Sequence, residues 1–169
     1  MYLKLNLILH QASKREIEGL NVYLEPLNFN KKSNTLWIAK IDKEVSVLLL
    51  DKKIPIIVRV SNNVVPFLTV ASKYESLCSI IEVDKGAVEK ILNGADVMAP
   101  GITFLKEGVI NSVLVKSPEK QTIAVGIFHS DWRDNFKKRK GKVVINLHYK
   151  NDKLFKRLSE NSILPRETF

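Results

Sequence analysis

The stretch Val83 to Ile102, VDKGAVEKILNGADVMAPGI, constrains the fold more than any other part of the chain. It puts a helix start, a helix stop and a tight turn into one short run. Asp84 is placed to cap a helix from Lys85 to about Asn93, because its carboxylate can accept from the unpaired N–H groups of the first turn. Gly94 then supplies the left-handed residue that ends such a helix. Val97-Met98 reads as a short strand, and Pro100-Gly101 as a turn in which Gly101 takes a positive φ. The glycines remove the Cβ that would hold a phosphate or ribose away, so another backbone could approach closely. They also read as turn residues and nothing more.

The flanking sequence is strand-rich. SKREIEGL (13–20) has the pattern of a short helix capped by Ser13, with Ile17 and Leu20 facing inward. LWIAK (36–40), VSVLLL (45–50) and IPIIVRV (54–60) read as strands joined by short polar turns, as antiparallel hairpins require. Pro55 lacks an N–H and belongs at a strand end or sheet edge. PFLTVASKY opens at Pro66 as a second helix, with Phe67, Val70, Ala71 and Tyr74 on one face. Strands are then expected at Ser79–Val83, Val109–Lys116, Gln121–Phe128 and Lys142–Tyr149, with a turn at Ser117–Lys120. Gly126 signals a bulge or a close backbone approach. Ser130 to Phe136 suits one helical turn, Leu154–Leu158 a closing strand, and the tail after Ser159 a loose end.

These residues resemble the PUA domain, an RNA-binding module named after pseudouridine synthase and archaeosine transglycosylase. The match rests on Gly94-Ala95-Asp96-Val97-Met98-Ala99-Pro100-Gly101. The resemblance implies an α+β chain: a small N-terminal α/β domain with an antiparallel sheet (1–78), then a PUA β-pseudo-barrel (79–158), then a polar tail (159–169). Four strings, VPFLTVASKY (65–74), VDKGAVEKILNGADVMAPGIT (83–103), AVGI (124–127) and HYKNDKLF (148–155), are similar to the malignant-T-cell-amplified-sequence translation factors. The N-terminal half agrees with that family in outline only. The loop Phe104 to Gly108 and the N-terminus are shorter than is usual there. The resemblance implies action on the small ribosomal subunit in initiation, reinitiation and recycling, paired with density-regulated protein; ligatin carries both halves in one chain. It also implies that the PUA domain lies near the acceptor end of an initiator or deacylated tRNA, and that the N-terminal domain contacts partner and ribosome.

Charge supports a polyanionic partner. The formal net charge is +9, and from Arg133 to Arg157 ten Lys and Arg face only Asp134 and Asp152. Lys137-Lys138-Arg139-Lys140, with Arg133 and Lys142, forms a basic block suited to RNA backbone; a nuclear localisation signal or a solvated loop are the rival readings. Lys85 and Lys90 on the signature helix could grip phosphates. Trp132 and Phe136 beside the block either stack on a base or pack into the core.

Chemistry is not expected. His10, His129 and His148 are far apart, and no HxxxH, CxxC, P-loop or metal-spaced carboxylate set occurs. His148 reads as a surface or hydrogen-bonded histidine. The lone Cys78 excludes an intramolecular disulfide and reads as a small core residue. No cofactor or metal is anticipated. With 45% apolar residues among 169, no membrane-length apolar run and no evident secretory signal, the chain reads as a cytoplasmic globular protein. The alternatives to a translation factor are a PUA-containing ribosome-assembly protein and an RNA-modifying enzyme. The N-terminal part has little room for a core and a substrate cleft together.

Overall fold

The computed structural model describes residues 6–165. Its first layer is an antiparallel meander in sequence order: β1 (Leu9–Gln11), β2 (Leu36–Lys40), β3 (Val45–Leu50), β4 (Ile54–Val60) and β5 (Asn63–Pro66). The middle three strands have the bounds read from their apolar runs and polar turns. Asp42 shapes the β2–β3 turn by accepting from the N–H groups of Glu44 and Val45 at 2.8 and 2.9 Å. Pro55 sits beside the register shift at Leu48/Leu49, beyond the reach of β5, so no ladder bond is lost.

The helices before this sheet are α1 (Lys14–Ile17), closed by a Ser13–Glu16 capping box, and α2 (Asn21–Leu24). The helix expected over 13–20 is shorter, ending at Ile17, and α2 beyond it was not expected; Leu20, Tyr23 and Leu24 are buried. Pro66 closes a strand rather than opening a helix. The helix that follows is a 3-10 segment, Leu68–Tyr74, burying Val70, Ala71 and Tyr74. Cys78 is buried, and desolvation pushes its thiol up to about 12.

The second sheet contains β6 (Ser79–Val83), β7 (Val97–Met98), β8 (Ile102–Lys106), β9 (Val113–Lys116), β10 (Thr122–Phe128) and β11 (Lys142–Tyr149), in the order β7-β11-β10-β9-β6-β8. Only β6 and β9 run parallel. β7 and β8 are its opposite edges, yet only Ala99–Gly101 separates them in sequence. A flat six-stranded sheet would hold its edges about 24 Å apart, and a link of this length reaches only about 14 Å. The sheet therefore curls until its edges meet at residues 98–102. The resulting pseudo-barrel is the fold anticipated for this half.

Three expectations fail here. Residues 104–106 belong to strand β8, not to a loop. The strand expected from Val109 starts only at Val113. Leu154–Leu158 is helical: α5 spans Lys153–Glu160, because the Asp152 carboxylate accepts from Leu154 N and Phe155 N and caps it. Leu154 and Leu158, one helical turn apart, are the buried face. The tail does not leave the fold at once, since Ile163 N and Leu164 N both donate to Leu158 O. Its last residues, 166–169, lie outside the described residues.

Two apolar cores result. One lies inside the curled sheet around Ile81, Val83, Ile91, Val113, Val115 and Val144. The other lies under the meander and also takes in Leu114, Val125, Leu154 and Leu158. Alternate residues of β9 and β10 thus serve both, which is why β9 is buried on each face. His148 is fully buried against Phe67 and Phe155, with ring centroids 4.4 and 5.4 Å away, and its Nδ1 lies 2.6 Å from the Asp152 carboxylate.

Candidate nucleic-acid interface

Helix α3 (Lys85–Leu92) starts where Asp84 accepts from Ala87 N at 2.9 Å. It ends at Gly94, whose φ of +92° is the left-handed conformation required there. A Cβ at Gly94 would also stand 3.1 Å from the Tyr149 hydroxyl. Gly101, by contrast, does not adopt a positive φ. Its missing side chain serves packing: a Cβ would lie 3.0 Å from that of Ala87, and Asp84 N donates to Gly101 O at 2.9 Å. Gly101 therefore seats the corner against the first turn of α3.

The residues between these glycines divide in two. Gly94, Ala95, Met98 and Pro100 are exposed. Asp96 is turned into the structure, accepting from Asn146 N at 2.8 Å and pairing with Lys142 Nζ at 2.7 Å. Ala95 O accepts from the Asn146 amide at 3.0 Å. Ala99 is fully buried and donates its N–H to Gly141 O at 2.8 Å.

The basic block arrives from the other side. Helix α4 (Trp132–Lys138) ends at Arg139, which takes a left-handed φ of 55°. The Arg139 guanidinium donates to Ile102 O at 3.0 Å and to Pro100 O at 3.3 Å. Asn135 donates to Lys142 O at 2.8 Å and ties α4 to β11. Lys142 lies opposite Met98 in the β11–β7 register. Two features separated by some forty positions of sequence thus share one edge of the barrel.

Within that block the side chains differ in what they have left to give. Lys137, Lys138 and Lys140 are exposed, and among the described residues none has an ion-pair partner. Arg133 is held by Glu107 through two 2.8 Å hydrogen bonds and lies over the Trp132 ring. Trp132 stacks on Phe128 with centroids 4.1 Å apart, and Phe136 packs half-buried on the barrel core. Lys85 and Lys90 are exposed on α3. Of the rest of the basic run, Lys153, Lys156 and Arg157 lie on α5, which packs on the meander core. Sequence reasoning missed Asn135 and Asn146, which fasten the two features together; only their polarity next to strand β11 could have signalled them.

The PUA domain family matches residues 79–150. Malignant T-cell-amplified sequence 1 of Rattus norvegicus is 27% identical over 73% of this chain and 71% of its own. An uncharacterized protein of Methanocaldococcus jannaschii, MJ1432, is 32% identical over 151 residues, covering 85% of this chain and 92% of that one. The chain carries a PUA domain and belongs to one family with MJ1432, and the Malignant T-cell-amplified sequence proteins are among its homologues. The structure is similar to a crystal structure of hypothetical protein PH0734.1 of Pyrococcus horikoshii, with 30% identity, a TM-score of 0.70, and coverage of 88% of this chain and 98% of that one.

Proposed function

We propose that this family member is an RNA-binding translation factor whose PUA corner grips a polynucleotide backbone. One observation carries the reading: three lysines with no ion-pair partner among the described residues, Lys137, Lys138 and Lys140, are held beside the exposed part of the 94–101 corner by Arg139. Cations without protein partners release counterions when they meet phosphates, which supplies affinity and makes it salt-dependent. Gly94, Ala95, Met98 and Pro100 form the approach surface, and Lys85 and Lys90 extend it along α3. Asp96, Ala99, Gly101, Arg139 and Lys142 give the corner its shape, and Arg133 braces α4.

The finer assignment follows the family. The RNA is rRNA of the small ribosomal subunit and the acceptor end of an initiator or deacylated tRNA, in the cytoplasm. The barrel, from about residue 79 to 158, does the RNA work, and residues 1–78 meet a protein partner of the density-regulated type. The reading has no place for catalysis. Among the described residues no three His, Cys, Asp or Glu are arranged to hold a metal, and no helix is long and apolar enough to cross a membrane.

Co-sedimentation of the whole chain with ribosomal subunits tests this. Binding to mature small subunits supports the reading. Binding confined to large-subunit precursors supports the assembly role instead, and a base change in incubated RNA would overturn the non-catalytic reading.

A further inference from the structure

The meander carries a groove that the RNA corner does not use. It has a volume of about 420 Å³ and lies where the ends of β1 and β2 approach α5. Its floor is aliphatic: Leu7, Ile8 and Ile41, with Ile8 left 78% exposed. Its rim is cationic, from Lys40, Lys43 and Arg157, and among the described residues none of these three has an ion-pair partner. The lining carboxylate, Asp42, is committed to its own turn through Glu44 N and Val45 N.

The groove adjoins an open sheet edge. Lys40 N donates to Ile8 O and Ala12 N to Leu36 O, so residues 8, 10 and 12 face β2. The antiparallel alternation then turns the main-chain groups of Leu9 and Gln11 outward, where no described residue bonds them. Leu7 N, next along, is already covered by the Asn161 side chain at 3.0 Å.

We infer that this groove docks an extended acidic peptide segment, with aliphatic side chains over Leu7, Ile8 and Ile41, carboxylates against Lys40, Lys43 and Arg157, and backbone added at the β1 edge. The one ring in the lining, His10, is tied to the Glu16 carboxylate at 3.2 Å and the floor is otherwise aliphatic, which leaves a nucleobase little to stack on. A peptide uses both the apolar floor and the open edge. Charge complementarity selects the acidic sequence, because three cations in the lining stand against one carboxylate, Asp42. The inference rests on the reading that residues 1–78 meet a protein partner, and it gives that partner a surface and a chemistry.

The test uses the full-length chain and three labelled probes: a ten-residue peptide alternating Glu with Val, its Lys–Val counterpart, and a uridine decamer. The expected result is saturable binding of the acidic peptide alone at this site, with amide shifts at Leu9 and Gln11. Lys40→Glu combined with Lys43→Glu should weaken it at least ~10-fold, and Ile8→Asp should do so separately. Uridine-decamer binding should be unchanged in both variants, since these positions are remote from the corner. Acidic-peptide binding absent up to ~1 mM, equal binding of the basic peptide, or loss of decamer rather than peptide binding in the variants would each overturn the groove assignment. Decamer binding retained while peptide binding fails would leave the RNA reading standing.

Discussion

The β9–β10 hairpin and the Met98–Gly101 corner both carry cations on the same curled sheet, and they treat them in opposite ways. At the hairpin Lys116 is nearly buried and paired with Glu75, and Lys120 is paired with Glu82. At the corner Lys142 pairs with Asp96 and Arg139 is spent on backbone carbonyls, while Lys137, Lys138 and Lys140 keep their charge for solvent. The corner starts with four lysines and Arg139 against two lysines at the hairpin, and internal pairing widens that difference. What separates them is how many cations remain after internal pairing, and that quantity governs attraction of a polyanion.

The largest expected effect removes the frame that both places share. A Cβ at Gly126 would sit 2.0 Å from Ile145 O, inside the β10–β11 pairing. Gly126→Val should therefore cost roughly 3 kcal/mol or more of stability, read by chemical denaturation, and abolish RNA binding by unfolding. Next, Arg139→Ala should cost about 1–2 kcal/mol and weaken RNA binding, because the lysines lose their anchor to residues 100 and 102. An RNA affinity unchanged by Arg139→Ala would break the link between block and corner. Smaller still, Gly94→Ala should cost about 1 kcal/mol for its left-handed φ. Gly101→Ala should cost less, since only a few tenths of an ångström at the Ala87 methyl must give. A Gly101→Ala variant that melts at the same temperature as the unmodified chain would overturn the packing role given to Gly101. Smallest of all, Lys120→Ala should change stability by less than about 0.5 kcal/mol and leave RNA affinity as it was, since that charge is already neutralised by Glu82.

The sequence made the regular parts of this molecule readable. Apolar runs bounded by short polar turns located β2, β3 and β4 with their observed bounds. Asp84 and Gly94 announced both ends of α3 through local cap chemistry. Elements defined by distant partners were not readable. β5 and β8 are short, and each exists because another strand offers it a ladder: β4 for the first, β6 for the second. Leu154–Leu158 was misread because its two leucines suit either period over so few residues, and the Asp152 cap decides for helix. The site divides the same way. The corner residues and the basic block were visible as strings, but the pairing of Lys142 with Asp96 and the reach of Arg139 depend on a contact across the closed barrel. The charge run from Arg133 to Arg157 looked continuous because sequence cannot show that β11 carries its two halves to different surfaces.

The most direct test is a salt titration of RNA affinity for the unmodified chain, for the variant with Lys137, Lys138 and Lys140 changed to Ala, and for the variant with Lys116 and Lys120 changed to Ala. The account predicts an affinity loss of ~10- to 100-fold and a salt slope shallower by about 2 for the corner variant, with the hairpin variant matching the unmodified chain in both. Equal losses in the two variants, or a slope that the corner variant leaves intact, would contradict it.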